Sequence, residues 1–364
     1  MWVKPDQLVV NNILLSDVVA KSGQVIIPEK TVLTKKHIQV IKNFLIEDVN
    51  VSSELDDGRE YIPLRVEKEE EKKPLQSEKQ ADLSFQEHYQ YVVKMYGEMF
   101  IQWQSGLAID MPLVREIFIP LFEKIQEVEE QLYLLGQWST KEDYIYHHSV
   151  SVGLLAGFLA KKLNYQKGEQ IQLALAGLLS DSGMAKLDPR IFSAERPLLH
   201  QERQDLYRHP TYSYRFVEDI PTLTNEAKLA ILQHHERNDQ SGYPFKLGRG
   251  KIHPYAHIIA LCDSYHAMTC ERVFKKESPP FIVLEEIIKQ KGIKFNEKIT
   301  EVFVQEILPI KVNTIVHLSN GKIGKVAYIN PENPVKPIVK LKGGEFLVLE
   351  RYPKVHIVQV EKDN

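Results

Sequence analysis

The chain has 364 residues, 43% of them hydrophobic and 26% charged, which allows two or three domains with real cores and excludes a disordered polypeptide. A net charge of -3 leaves no global basic field for nucleic acid, and no run approaches the roughly 20 apolar residues of a membrane span. Only two cysteines, Cys262 and Cys270, are present, so neither a disulfide framework nor a thiolate zinc site is expected. The opening MWVKPDQLVV has no apolar leader core, and a cytoplasmic protein is the expectation.

Residues 1–54 mix short β-branched runs, a Ser-Gly turn and one helical spacing through Ile38, Ile41 and Leu45. They predict a small α+β module with a regulatory or packing role. Residues 55–84, with the run EKEEEKK, form a charged linker. Residues 85–139 carry two helical patterns, the second starting at Asp110-Met111-Pro112 and kinked or divided at Pro120.

From 140 to 308 the pattern stays helical, with helices expected at 142–163, 168–180, 201–219, 224–237, 253–270, 281–290 and 295–306. The second of these, around IQLALAGLLS, is apolar on every side and belongs at the centre. Residues 309–364 alternate apolar and polar positions around Asn320-Gly321 and Gly343-Gly344, which predicts hairpins in a small β-barrel or sandwich. Basic residues there lack the interleaved aromatic residues that stack bases, so nucleic acid is disfavoured.

Nine of the 13 histidines lie between residues 141 and 270. The stretch His234–Pro244, HHERNDQSGYP, sets two imidazoles beside a Ser-Gly turn. Metal ligation or substrate contact explains them, and so does capping of a helix C-terminus by its last-turn side chains. Other candidate ligands stand at or inside the predicted helices: His148, Asp181, His209 and Asp263. A carboxylate at the end of a buried helix is costly without a partner, and a cation is the natural one. Oxygen and nitrogen donors without thiolate suit Fe, Mn or Zn.

Five ordered blocks, DYIYHHSVSV, LLSDSGMAKLDPRIF, HPTYSYRFVE, HHERNDQSGYPFKL and IIALCDSYHAMTCERVFKK, make residues 140–276 resemble the HD-GYP family of bacterial phosphodiesterases. The resemblance implies an HD-type helical bundle, one or two divalent ions, and cyclic di-GMP or a related phosphate ester as substrate. Its metal ligands fall on His148, Asp181, His209, His234, His235 and Asp263, with Asp181 the shared, catalytic carboxylate. Its substrate contacts fall on Tyr243, Pro244, Arg272 and Lys275. In the family's arrangement one ion takes Asp181, His209, His234 and His235, and the other takes His148, Asp181 and Asp263.

Several positions depart from the pattern. Ser180 replaces the His of the HD pair, Met184 replaces a Lys, and Tyr144 replaces the Glu that adds a third metal in some members. Gln240 stands for a Gly, His266 for an Asp and His257 for an Arg. Two functions therefore compete: a phosphodiesterase of reduced activity, or an inactive module that binds metal and cyclic dinucleotide. A protein partner for the outer modules and a homodimer are further expectations. His147, His200 and His253 are expected in loops or solvent, Glu236 as a helix-end or ligand-orienting carboxylate, and Asp239 as a loop cap.

Overall fold

A computed structural model describes residues 1–19, 25–43, 46, 48–61, 63, 83–191, 196–271 and 277–361. The described residues fall into two compact units, one drawn from Met1–Gln80 and Ile101–Leu107, the other from Ala81–Phe100 and Ala108–Asn364. Among the described residues no helix is long and apolar enough to cross a membrane. The charged run at 67–73 lies outside them.

The first unit contains strands β1 (Trp2–Val3), β2 (Asn12–Leu14), β3 (Val18–Val19) and β4 (Val25–Ile27), helix α1 (Lys35–Asn43) and strand β5 (Val49–Leu55). The sheet order is β1-β5-β2, all antiparallel, beside a β3-β4 pair. Alternate strand residues point inward, so Leu14, Val49 and Val51 meet Leu33 and Ile41 in one core.

The second unit is mainly helical. Helix α2 (Phe85–Gln104) contributes its residues up to Phe100, and α3 (Met111–Glu123) follows. Asp110 caps α3 by accepting the Leu113 amide at 3.1 Å, with Pro112 in the first turn. Pro120 does not divide the helix where expected. The α-helix continues to Glu123 and then tightens into 3-10 turns over Lys124–Glu127 and Glu129–Trp138.

Helices α4 (Tyr144–Lys162) and α5 (Lys167–Leu179) form the centre, and α4 is buried from His147 to Ala160. They cross at glycine. A Cβ on Gly153 would lie 2.8 Å from the Ala174 carbonyl oxygen, and one on Gly177 would lie 2.9 Å from that of Val152. Any larger residue would push the helices apart. The predicted helix at 201–219 is two helices, α6 (His200–Leu206) and α7 (His209–Val217). Pro210 takes a first-turn position, which a continuous helix would not give it. Helix α8 (Asn225–Gln233) stops four residues earlier than the predicted 237, then come α9 (Pro254–Thr269), α10 (Pro280–Lys289) and α11 (Glu297–Ile307).

The C-terminal strands β6 (Ile315–Leu318), β7 (Ile323–Tyr328), β8 (Ile338–Leu341), β9 (Phe346–Val348) and β10 (Ile357–Val360) form one antiparallel sheet in the order β10-β6-β7-β8-β9. The expected hairpin turns are present, with Gly321 and Gly344 at φ +79° and +85°. The expected barrel or sandwich is not: among the described residues β9 and β10 remain unpaired edges of a single open sheet. Its inward face packs against Phe281 of α10, which does the work a second sheet would have done.

His147, expected near solvent, is buried, with Nδ1 3.1 Å from the Tyr89 hydroxyl. His88 is fully buried too, and neither of its ring nitrogens has a hydrogen-bond partner among the described residues. Burial, and then the charge of Lys124, pushes its imidazole down from 6.5 to about 4. Between those values the unfolded chain binds more protons than the folded one, so stability is full above the upper value and falls as pH drops through the window. We expect a loss on the order of 2 kcal/mol across that range. Denaturant titrations of wild type and His88→Leu at pH 7 and pH 4.5 will check it, because the variant removes this part of the pH dependence.

Candidate metal centre and its cavity

Asp181 stands two residues past the end of α5 and is buried at 5% exposure. Its Oδ1 lies 3.1 Å from His209 Nε2 and 3.6 Å from His234 Nε2, and the two imidazole nitrogens are 3.3 Å apart. The break before α7 delivers His209, and the end of α8 delivers His234. Each ring is anchored through its other nitrogen: His209 Nδ1 donates to Leu206 O and His234 Nδ1 to Ile231 O, both at 2.7 Å.

A carbonyl only accepts, so the proton of each neutral ring sits on Nδ1 and both Nε2 atoms present lone pairs. Three acceptors therefore converge on one buried point with no proton between them. Asp181 Oδ1 correspondingly has no hydrogen-bond donor. Such an arrangement is repulsive unless a cation or a further proton completes it. His235 adjoins the group, its ring 4.0 Å from that of His234. Burial, and then its neighbour His234, pushes His235 well below its usual value, which keeps it in the neutral form that ligates. Asp181, His209, His234 and His235 thus fit a divalent ion by donor set.

A second group, His148, Asp181 and Asp263, shares the same carboxylate. His148 on α4 places Nε2 3.0 Å from Asp263 Oδ1 and 3.4 Å from Asp181 Oδ2. Its Nδ1 lies 3.1 Å from His266 Nδ1 and 3.3 Å from the Tyr144 hydroxyl. Ser180 is buried and spends its hydroxyl proton on Gly177 O at 2.8 Å.

The loop after His235 is held from within. Glu236 is buried and accepts the amides of Phe245 and Leu247 at 2.7 and 2.8 Å, so it neither orients a histidine nor faces solvent as expected. Asp239 caps the turn by accepting from the Ser241 amide and hydroxyl at 3.0 and 2.6 Å. Gly242 passes so close to the chain that a Cβ would fall 2.3 Å from His235 O. Gln240 sits at φ +63°, a conformation glycine adopts freely and other residues adopt at a cost.

The loop delivers Tyr243, stacked 4.6 Å from His235 and 4.3 Å from Tyr207, with Pro244 after it. Burial, and then the Asp263 and Asp181 carboxylates, raises the Tyr243 phenol well above its usual value, so its hydroxyl remains a donor. His253 caps α9 through the Tyr255 amide at 3.2 Å, and His200 is exposed as expected. Arg272 and Lys275 lie outside the described residues.

His148, Asp181, His209, His235, Tyr243 and Asp263 line a cavity of about 900 Å³, together with Lys141, Met184, Arg237, Gln290, Lys294 and Phe295. Arg237 was missed by the sequence reading. Its guanidinium donates to His234 O and Glu236 O at 2.9 Å, to Ser264 Oγ at 3.1 Å, and reaches within 3.8 Å of Asp263. It also lies 5.4 Å from the centre of the Phe295 ring. Its signal was a lone cation two residues after paired histidines. Lys294 and Phe295 carried none, because another part of the chain supplies them.

Residues 128–299 match the family model described as HD domain. The chain is 28% identical over 243 residues to a cyclic di-GMP phosphodiesterase of Pseudomonas aeruginosa, covering 67% of this chain and 58% of that protein. It is 29% identical over 217 residues to a cyclic di-GMP phosphodiesterase of Thermotoga maritima, covering 59% and 58%. A 3'3'-cGAMP-specific phosphodiesterase of Vibrio cholerae is 30% identical over 160 residues, covering 43% and 37%. The chain spans less than two thirds of the length of each of these relatives.

The convergence at Asp181 predicts that metal stabilises the fold. Chain loaded with Mn²⁺, Fe²⁺ or Zn²⁺ will melt at a higher temperature than chelator-treated chain, the stabilisation being about 2.7 kcal/mol at a hundredfold excess over the dissociation constant. His234→Ala and Asp181→Ala will lose that shift, as calorimetry with elemental analysis will show.

Proposed function

For a chain that belongs to the HD-domain family, in its HD-GYP branch, we propose a metal-dependent phosphodiesterase that opens a cyclic dinucleotide, cyclic di-GMP first among the candidates. One observation carries the proposal: Asp181 is shared by two ligand groups on the wall of a cavity of about 900 Å³. That volume is in the range of sites that enclose a nucleotide-sized ligand. Relatives named for cyclic di-GMP and for 3'3'-cGAMP support the substrate class and leave the second base to experiment.

Asp181, His209, His234 and His235 would hold one ion, and His148, Asp181 and Asp263 the other. When bound, divalent ions supply Lewis acidity for charge on the phosphoryl oxygens. Tyr243 offers a fixed ring face and a hydroxyl donor to the ligand, with Pro244 shaping its approach. Arg237 holds the His234–Glu236 backbone and stands beside Asp263. Arg272 and Lys275 remain the proposed phosphate contacts. The cytoplasm is the proposed location, and the N- and C-terminal modules are the proposed surfaces for a protein partner or a second copy.

Ser180 favours a second reading, a module that binds metal and cyclic dinucleotide without turnover. Its proton is committed to Gly177 O, and a neutral hydroxyl is a poor ligand beside the imidazole it replaces. Met184, on the cavity wall, brings no cation to the phosphate. Under the enzymatic reading both departures lower the rate.

Cyclic di-GMP and 3'3'-cGAMP hydrolysis, measured with Mn²⁺ or Fe²⁺, decides between them. We expect slow turnover in wild type, none in Asp181→Ala, and in Ser180→His a rise in metal content towards two per chain with about a tenfold gain in rate. Tight nucleotide binding with no turnover would establish the second reading instead. Absence of both binding and turnover would remove the two together.

A further inference from the structure

The C-terminal sheet shares a helix with the cavity. Helix α10 sends Phe281 into the sheet core beside Val316, Val326 and Leu347. One turn on, Glu285 pairs with Lys336 of the β7–β8 loop at 3.2 Å. Lys336 is buried at 4% exposure, and its ammonium also donates to Val355 O at 2.8 Å and Pro353 O at 3.3 Å. Three protons thus meet three acceptors beneath the sheet. Lysine is rarely buried unless it is paired, and this one is paired to α10.

The cavity side of α10 is offset from that by one residue. Glu286 and Ile287 line the cavity, as does Gln290 at the helix end. The same wall continues through Lys294 and Phe295, and the Asn238 amide of the histidine loop donates to Lys294 O at 3.1 Å. The wall facing the metal ligands therefore hangs on a helix whose opposite face is fixed by the sheet.

We propose that Lys336 and Phe281 are positioning residues: by fixing α10 against the C-terminal sheet they set the width of the cavity in which the cyclic dinucleotide lies. The proposal rests on the function assigned to that cavity above. It gives the sheet a role distinct from metal binding, because none of the ligands in either group belongs to α10 or to the sheet.

The test uses the full chain loaded with Mn²⁺, as wild type, Lys336→Met, Lys336→Arg and Glu285→Gln. Amide hydrogen exchange across Pro280–Phe295 reads the mechanical link, and KM and kcat for cyclic di-GMP read its effect on the site. In Lys336→Met, exchange of that segment rises about tenfold. KM rises about tenfold with kcat within about twofold and metal content unchanged. Lys336→Arg keeps the cation and recovers most of both, and Glu285→Gln falls between. Should Lys336→Met fail to fold, Glu285→Gln carries the test, since Glu285 is partly exposed. Wild-type exchange in that segment, or faster exchange with an unchanged KM, overturns the proposal. If wild type neither binds nor cleaves the nucleotide, the assigned function fails, and the exchange measurement still decides whether the sheet holds the helix.

Discussion

Three atoms, Asp181 Oδ1 and the Nε2 atoms of His209 and His234, are held within 3.6 Å of one another among buried residues at the cavity wall. Nothing in the covalent chain favours that arrangement, so surrounding structure has to impose it. The α4–α5 crossing, close enough to exclude any Cβ at Gly153 or Gly177, fixes the depth of Asp181. The two histidines are then locked through Nδ1 to carbonyls left over at the ends of α6 and α8. Helix termini always leave carbonyls without partners, and here those groups set the tautomer and aim of a ligand. The fold's unsatisfied ends and the site's unsatisfied centre are parts of one device.

This resolves the question posed by the paired histidines in the sequence. Helix capping and metal ligation stood as competing explanations of His234, yet the geometry makes them compatible, since one ring caps Ile231 with Nδ1 and turns Nε2 towards Asp181. A one-dimensional pattern cannot express this, because the two nitrogens of one residue serve different partners. The motif stretches were legible because their residue types have few other uses: adjacent imidazoles, an aspartate ending an apolar helix, a Ser-Gly turn running into Tyr-Pro. The helix break between Leu206 and His209 was less visible, since the apolar spacing runs on through it and only Pro210 marks the stop.

What lay beyond the sequence was chiefly the assembly of unlike parts. The cavity wall on α10 carries no recognisable motif, and its role arises from where the sheet places it. The C-terminal strands showed their alternation clearly, but alternation does not say what covers the inward face. A barrel or sandwich assumes more sheet; the chain uses Phe281 of a helix. Buried His147 and Glu236 escaped for a related reason. Polar residues are read as exposed unless a partner is visible, and their partners, Tyr89 and the amides of Phe245 and Leu247, come from other turns of the chain.

The two ligand groups differ in how their rings are held. In the first, His209 and His234 give Nδ1 to carbonyls at helix ends and turn Nε2 towards Asp181. In the second, His148 Nε2 lies 3.0 Å from Asp263 and 3.4 Å from Asp181, while its Nδ1 meets His266 and Tyr144. Backbone aims the first pair of rings, and side chains aim the ring of the second. Ser180 brings the second group little, since its hydroxyl is already bonded to Gly177 O. Ser180 and Met184 therefore bear on the proposed turnover, while the group of Asp181, His209, His234 and His235 is complete without either.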